Sequence, residues 1–241
     1  MKEAIRWESL TKEQQNAFTM SGNVKVIHWY FSDLNNAVDE RLYSKDTVDS
    51  YLRKIQYKIP GDSYGITDKW LYDLLDRHSI EGKTVAVMGS IKPWYESIVL
   101  HYKGIPTAIE WNIIKPSDDR LKMIHIKNFA HHPPFDVAIS ISTFEHDGLG
   151  RYGDPVDPDG DFRAMKEMKE IVKKDGLLFL AVPVGQDAVV WNAHRRYGPI
   201  RLPYLLDNWE MIDQEGFDET VYDVDRGQDG SYQPVFVLKN V

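Results

Sequence analysis

Lys83-Thr84-Val85-Ala86-Val87-Met88-Gly89-Ser90-Ile91-Lys92-Pro93-Trp94-Tyr95-Glu96, followed by a helical run and then by Thr107-Ala108-Ile109-Glu110, is the stretch that decides the fold. The apolar run Val85 to Met88 stops at a glycine. Pro93 suits the first turn of a helix, because its missing N–H would be unpaired there anyway. Trp94, Ile98 and Tyr102, with Val99 and His101 beside them, recur at helical steps, and Gly104 is a natural terminator. A second short strand, Pro106 to Ile109, follows and ends in a carboxylate, with 21 residues from Gly89 to Glu110. Strand, tight turn, helix, strand and acid make up the first half of a nucleotide-binding α/β sheet. The glycine lets the backbone approach the ligand, and the acid accepts from ribose hydroxyls. Ser90, Ile91 and Lys92 stand where a dinucleotide fingerprint has its later glycines, which disfavours a pyrophosphate and hence a nicotinamide cofactor. A ligand with a ribose and an uncharged linkage, such as S-adenosylmethionine, suits the turn.

Working outward, residues 1–80 read as a helical N-terminal cap packed on a sheet domain of residues 81–241. Thr11 and Gln14 fit a capping box opening a helix through Phe18. Val24 to Phe31 is apolar enough for a strand or a packed part of the cap. The spacing of Leu42, Val48, Leu52 and Ile55 predicts a helix over Asp39 to Tyr57, and Thr67 is placed to cap a helix carrying Trp70, Leu71, Leu74 and Leu75. Beyond Glu110, strands are expected at Met123 to Ile126 and at Phe135 to Ser142. An amphipathic helix follows from Phe162 to Val172, capped by Asp161 and ended by Gly176, and then a buried strand from Leu177 to Val184. A helix near Leu202 to Trp209 precedes two closing strands, around Thr220 to Val224 and Pro234 to Leu238. Strands alternating with helices at this spacing give an α/β, Rossmann-like, mostly parallel sheet with helices on both faces.

The bulk numbers exclude several classes. A net charge of −8 is wrong for a protein whose main partner is a nucleic-acid backbone. With no cysteine there is no disulfide framework, no thiolate metal site and no cysteine nucleophile. No apolar run is long enough to span a bilayer, and Met1 to Arg6 lacks a signal-peptide core, so a cytoplasmic location is expected. The run Asp154 to Asp161 invites a calcium reading but fails it. Counting from Asp157, the required glycine position holds Phe162 and the closing glutamate position holds Met168. His131 and His132, in a proline loop, lack further ligands, and no metal is expected.

Three stretches carry a family resemblance: Gly89-Ser90 with Pro93-Trp94-Tyr95-Glu96, then Glu145-His146-Asp147-Gly148-Leu149-Gly150-Arg151-Tyr152-Gly153-Asp154-Pro155, and His194-Arg195-Arg196-Tyr197-Gly198. In order and content the chain resembles class I S-adenosylmethionine-dependent methyltransferases. Over residues 62–240 it is similar to a small methyltransferase-like family sometimes encoded with surface-polysaccharide genes. The resemblance implies S-adenosylmethionine as cofactor and a small hydroxylated acceptor, such as a sugar or nucleotide sugar. It departs from the superfamily at the first loop, where one glycine stands for the usual two or three.

Glu110 is the expected ribose contact, since a carboxylate can take two hydroxyl hydrogens at once. Gly89 and Ser90 would wall the cofactor's amino-acid end, with Trp111, Phe129 and Thr143 completing the cofactor set. Methyl transfer needs an aligned acceptor and removal of its proton. Glu145 and His146 end the fourth strand, where open α/β sheets bind ligands, and either is a candidate base. His194 joins them from the next motif. Arg151, Tyr152, Arg195 and Tyr197 are the expected acceptor contacts, arginine offering a planar pair of donors to an anionic group. The alternative is a non-catalytic descendant of the fold that binds a nucleotide or a partner protein through the acidic loop.

Overall fold

Alternation within the strands explains the architecture. In Thr84–Met88, Val85 and Val87 belong to one buried cluster, whereas Ala86 and Met88 belong to another. Both faces of the strand are therefore covered, which is what a parallel sheet requires. The structure, a computed structural model, describes residues 3–34, 40–111 and 115–241. In chain order its elements are α1 (Lys12–Phe18), β1 (Lys25–Trp29), α2 (Lys45–Ile55), α3 (Ile66–Arg77), β2 (Thr84–Met88), α4 (Trp94–His101), β3 (Ile105–Glu110), β4 (Lys122–His125) and β5 (Phe135–Ile141). They continue with α5 (Gly160–Ile171), β6 (Val172–Ala181), β7 (Ala188–Asn192), β8 (His194–Arg196), α6 (Arg201–Leu205), β9 (Trp209–Glu215) and β10 (Val235–Asn240).

Seven strands form the main sheet in the order β4-β3-β2-β5-β6-β10-β9. The pairs from β4 to β6 are parallel, and β10 runs antiparallel to both β6 and β9. One face packs on α5 and α6 through Met165, Met168, Ile171, Leu202 and Leu205. The other packs on α3 and α4 through Leu71, Leu74, Leu75, Ile98 and Val99, with Ile55 of α2. The expected α/β sheet with helices on both faces is present. The strand order reverses between β2 and β5, which opens a crevice beyond their C-terminal ends.

The N-terminal residues are joined to the rest in two ways. The α3 helix is part of the layer over the sheet. The β1 strand pairs in parallel with β7, and β8 adds to β7 in an antiparallel sense, making a separate three-stranded sheet. The capping box at Thr11 forms as expected, with the Thr11 hydroxyl accepting from Gln14 N and Gln14 Oε1 accepting from Thr11 N.

Several expected boundaries shift. The α2 helix starts at Lys45 after a 3₁₀ turn over Glu40–Tyr43, and Asp39 lies outside the described residues. Thr67 is within α3, not before it, and its hydroxyl donates to the Gln233 carbonyl at 2.8 Å. The α5 helix ends at Ile171, and Gly176 lies inside β6. Val172 pairs with Phe135 and the ladder resumes at Leu177 opposite Val137, so residues 173–176 are an irregularity in the strand. Near the C-terminus the penultimate strand is Trp209–Glu215. Residues Glu219–Asp223 form a 3₁₀ turn, capped by the Asp218 carboxylate accepting from Thr220 N at 2.8 Å.

Candidate active site

The turn after β2 is built to be tight. Gly89 has φ +65°, and a Cβ there would stand 2.6 Å from Thr143 Cγ2. Glycine meets both demands, of backbone and of space. The Thr143 hydroxyl donates to the Met88 carbonyl at 3.2 Å, which ties the ends of β2 and β5 together. Ser90 is buried, and its carbonyl accepts from the Tyr43 hydroxyl at 2.6 Å. Glu110 ends β3, one strand away, and accepts from Trp111 N at 2.5 Å. The Trp111 ring is 59% exposed, with the Lys127 ammonium 4.9 Å from its centre. Gly89, Ser90, Glu110, Trp111 and Thr143 thus share the C-terminal edge of adjacent strands. Phe129 diverges: it packs into the core on the α5 side and lines a cleft of about 70 Å³ with His132, Phe135 and Ile171.

A second cluster follows β5. Ser142 has φ +54°, and its hydroxyl donates to Glu145 Oε1 at 2.6 Å while accepting from Gln233 Nε2 at 2.9 Å. Gln233 is fixed in turn by donating to the Gly230 carbonyl. Glu145 is fully buried, and its Oε2 has no partner. Burial pushes its pKa up to about 7, with the Ser142 hydrogen bond and the Arg195 charge pulling the other way. His146 Nδ1 lies 2.6 Å from the Ala193 carbonyl, so that nitrogen carries the proton. Its Nε2 is 3.7 Å from Glu145 Oε1. Burial, reinforced by the nearby arginines, drops the imidazole pKa to about 3, so it stays neutral. Burial likewise raises Asp147 to about 8.

Around His146 stand Tyr152, in edge contact at 5.9 Å, and Arg151. Arg151 donates to Asp33 at 2.6 Å and lies over the Phe31 and Tyr152 rings. His194 is 6% exposed with Nε2 unpartnered, beside Trp29, and burial lowers its pKa to about 4. Arg195 and Tyr197 are not gathered with these groups at a surface. Both are completely buried. Arg195 donates to the carbonyls of Asp147, Asp157 and Pro158, and the Tyr197 hydroxyl donates to Asp161 at 2.9 Å. They hold the loop over 147–158 in shape.

That loop also explains the acidic run. Asp154 accepts from the amides of Gly148, Gly150 and Tyr152, and Asp157 pairs with Arg163. Asp161 is not the expected cap. It sits inside α5 and receives two hydrogen bonds from Arg201 at 2.8 and 2.9 Å. Among the described residues no group of three or more His, Asp or Glu could hold a metal.

Sequence reasoning missed Gln233, Tyr64 and Glu96. Tyr64 comes from the loop before α3, and its phenol lies close to Ser142. Gln233 reaches the same hydroxyl from the loop before β10, and no spacing rule connects either to Ser142. Glu96 is buried on α4 with neither carboxylate oxygen paired. A single acid after an apolar helical start gave no signal of that.

The residues fit an adenosyl cofactor on the structure's own terms. Glu110 is a strand-end acid, Trp111 is an exposed ring beside it, and Glu96 is a second, buried acid near Glu110.

Among solved structures, the chain is similar to the 1,6-didemethyltoxoflavin-N1-methyltransferase of Burkholderia thailandensis, solved with 1,6-didemethyltoxoflavin and S-adenosylhomocysteine bound. Identity is 14%, coverage is 81% of this chain and 86% of that one, and the TM-score is 0.54. A S-adenosylmethionine-dependent methyltransferase from Archaeoglobus fulgidus matches at 12% identity over 70% of this chain and 92% of its own, with a TM-score of 0.48. One from Methanosarcina mazei matches at 14% over 70% and 98%, with a TM-score of 0.47. At these identities the likeness is one of fold, and the Burkholderia match carries it: the fold is that of S-adenosylmethionine-dependent methyltransferases. No curated protein matches the chain. Residues 82–227 match a sequence family, and the chain belongs to it: the family described as "Caenorhabditis protein of unknown function, DUF268".

Proposed function

We propose that the protein is an S-adenosylmethionine-dependent methyltransferase acting on a small hydroxylated acceptor, such as a sugar or nucleotide sugar. The observation that carries this reading is Glu110 at the end of β3, one strand from the Gly89 turn, at the crevice where such sheets bind ligands. The S-adenosylhomocysteine in the Burkholderia enzyme supports the cofactor, and its small second ligand supports a small acceptor. The sugar, and a place in surface-polysaccharide synthesis, rest on the resemblance in the sequence. The exposed faces of Trp29 and Tyr152 near the Asp33–Arg151 pair suit a polyhydroxylated molecule, offering apolar surface and polar partners together.

Glu110 accepts the ribose hydroxyls, Trp111 offers its face to the base, and Gly89, Ser90 and Thr143 form the wall beneath. In this reading Phe129, packed in the core on the α5 side, does not touch the cofactor. When bound, S-adenosylmethionine supplies a methyl group already activated on a sulfonium. Glu145 Oε2 takes the acceptor proton, because a pKa near 7 matches a general base to neutral pH. His146, neutral and fixed through Nδ1, is too weak a base and orients the acceptor, with His194, Arg151 and Tyr152 beside it. Arg195 and Tyr197 brace the loop and do not touch the acceptor.

Glu110→Gln is expected to weaken S-adenosylhomocysteine binding. Losing charge-assisted hydrogen bonds costs about 1.5–3 kcal/mol, or roughly 10- to 150-fold in affinity. Calorimetry on the folded variant tests this, and unchanged affinity would move the ribose site elsewhere.

A further inference from the structure

The buried acids of this protein differ in one respect. Asp68 accepts from Gly61 N, Trp94 Nε1 and the Tyr95 hydroxyl. Asp118 is held by Arg120, and Asp161 by Arg201 and Tyr197. Asp187 accepts three backbone amides, from Gly198, Ile200 and Arg201, and Glu145 has Ser142. Among the described residues, Glu96 is the one buried acid with both carboxylate oxygens unpaired, at 1% exposure. Leaving such a group buried and unpaired is costly, and a donor brought by a ligand would relieve that cost.

Its position says where that partner comes from. Glu96 lies in the first turn of α4, seven residues after Gly89, close to the Ser90 hydroxyl. The Ser90 hydroxyl is itself committed to the Lys92 carbonyl at 3.0 Å. The charged group that acts on Glu96 is another acid, Glu110, and the Tyr43 phenol faces it from the N-terminal segment. Two acids, Glu96 and Glu110, border the turn at which the cofactor's amino-acid end is expected. Among the described residues no third ligand makes this a metal site. A carboxylate with two vacant acceptor oxygens needs N–H donors carrying positive charge, and an ammonium group has both.

We propose that Glu96 is the receptor for the ammonium group at the amino-acid end of the adenosyl cofactor. This rests on the cofactor reading above. Glu110 and Glu96 then divide the ligand, one taking its hydroxyl pair and the other its cation. Burial lifts the Glu96 pKa to about 7 in the free protein, and an arriving cation favours the ionised form. Glu96 itself is shielded from water at 1% exposure, which strengthens the interaction.

The test is calorimetry of wild type and Glu96→Gln with three probes. S-adenosylhomocysteine has the ammonium and no sulfonium, S-adenosylmethionine has both, and 5′-methylthioadenosine has neither. The variant is expected to lose about 10- to 100-fold in affinity for the first two. Its affinity for methylthioadenosine should stay within about twofold, since that probe has no group for Glu96 to pair with. Its melting temperature without ligand should be no lower than wild type, because the amide removes a buried ionisable group. Equal weakening of all three probes, or unchanged S-adenosylhomocysteine binding, overturns the proposal, as does weakening confined to S-adenosylmethionine, which would mark a sulfonium contact. If wild type binds none of the probes, the cofactor reading falls and this inference falls with it.

Discussion

Glu145→Gln is expected to slow methyl transfer by about 10²- to 10⁴-fold, the usual cost of losing a positioned general base. The amide keeps the shape of the side chain and can still accept from the Ser142 hydroxyl, so the cluster should persist. The S-adenosylhomocysteine affinity should therefore be unchanged, and the loss should fall on turnover. The wild-type rate should rise with pH and level off above about 7, as Glu145 gives up its proton. The variant should lose that inflection. His146 cannot produce it, being neutral throughout this range. Stability should move the other way. The folded pKa of Glu145 lies above its ordinary value of 4.5, so its contribution is fully present below 4.5 and is lost as pH rises to about 7. Transfer of labelled methyl to a panel of sugars and nucleotide sugars, measured across pH, checks the rates, and thermal melts over the same pH range check the stability. If Glu145→Gln turns over at the wild-type rate, the base is elsewhere.

Asp161→Asn is expected to have the largest effect on stability. Asp161 is completely buried and pairs with Arg201, also completely buried, while Arg195 Nε lies 3.6 Å away. Neutralising the one acid leaves two interior guanidinium groups without their counter-charge. Breaking a buried pair in this way costs about 3–5 kcal/mol. For a domain of this size that corresponds to a fall in melting temperature of roughly 6–20 °C. The same carboxylate orients Tyr197, and Arg195 holds the carbonyls of the 147–158 loop, so the variant should also loosen the wall beside His146. A melt within about 2 °C of wild type, the smallest shift that 1 kcal/mol brings to a domain of this size, would show that the cluster is not held by Asp161.

What was legible in the sequence was local. The β2 strand, Gly89, the start of α4 and Glu110 lie within one short run, and periodicity and turn chemistry mark each of them. The Thr11–Gln14 capping box is a three-residue pattern and forms as written. The β9 strand was not legible, because Trp209-Glu210-Met211-Ile212-Asp213-Gln214-Glu215 is an edge strand with exposed acids. Asp213 and Glu215 are matched by Arg77, far away in the chain. Thr220 to Val224 has a strand-like composition, yet the Asp218 carboxylate turns it into a 3₁₀ turn through a local hydrogen bond. The pairing of β1 with β7 joins residues such as Val26 and Val189, and no local pattern announces such a partner. The site divides in the same way. Glu145 and His146 follow a readable strand, whereas Gln233, Tyr64 and the unpaired state of Glu96 emerge only from tertiary contacts. Arg195 and Tyr197 carry the residue types of a binding motif but are buried by the loop they support.

Whether the crevice beside Gly89 and Glu110 binds an adenosyl cofactor is tested most directly by a calorimetric titration of the wild-type protein with S-adenosylhomocysteine and, separately, with NAD. Saturable binding of S-adenosylhomocysteine at one site per chain, with no heat from NAD, is the predicted result. Binding of NAD, or no binding of S-adenosylhomocysteine by folded protein, would contradict it.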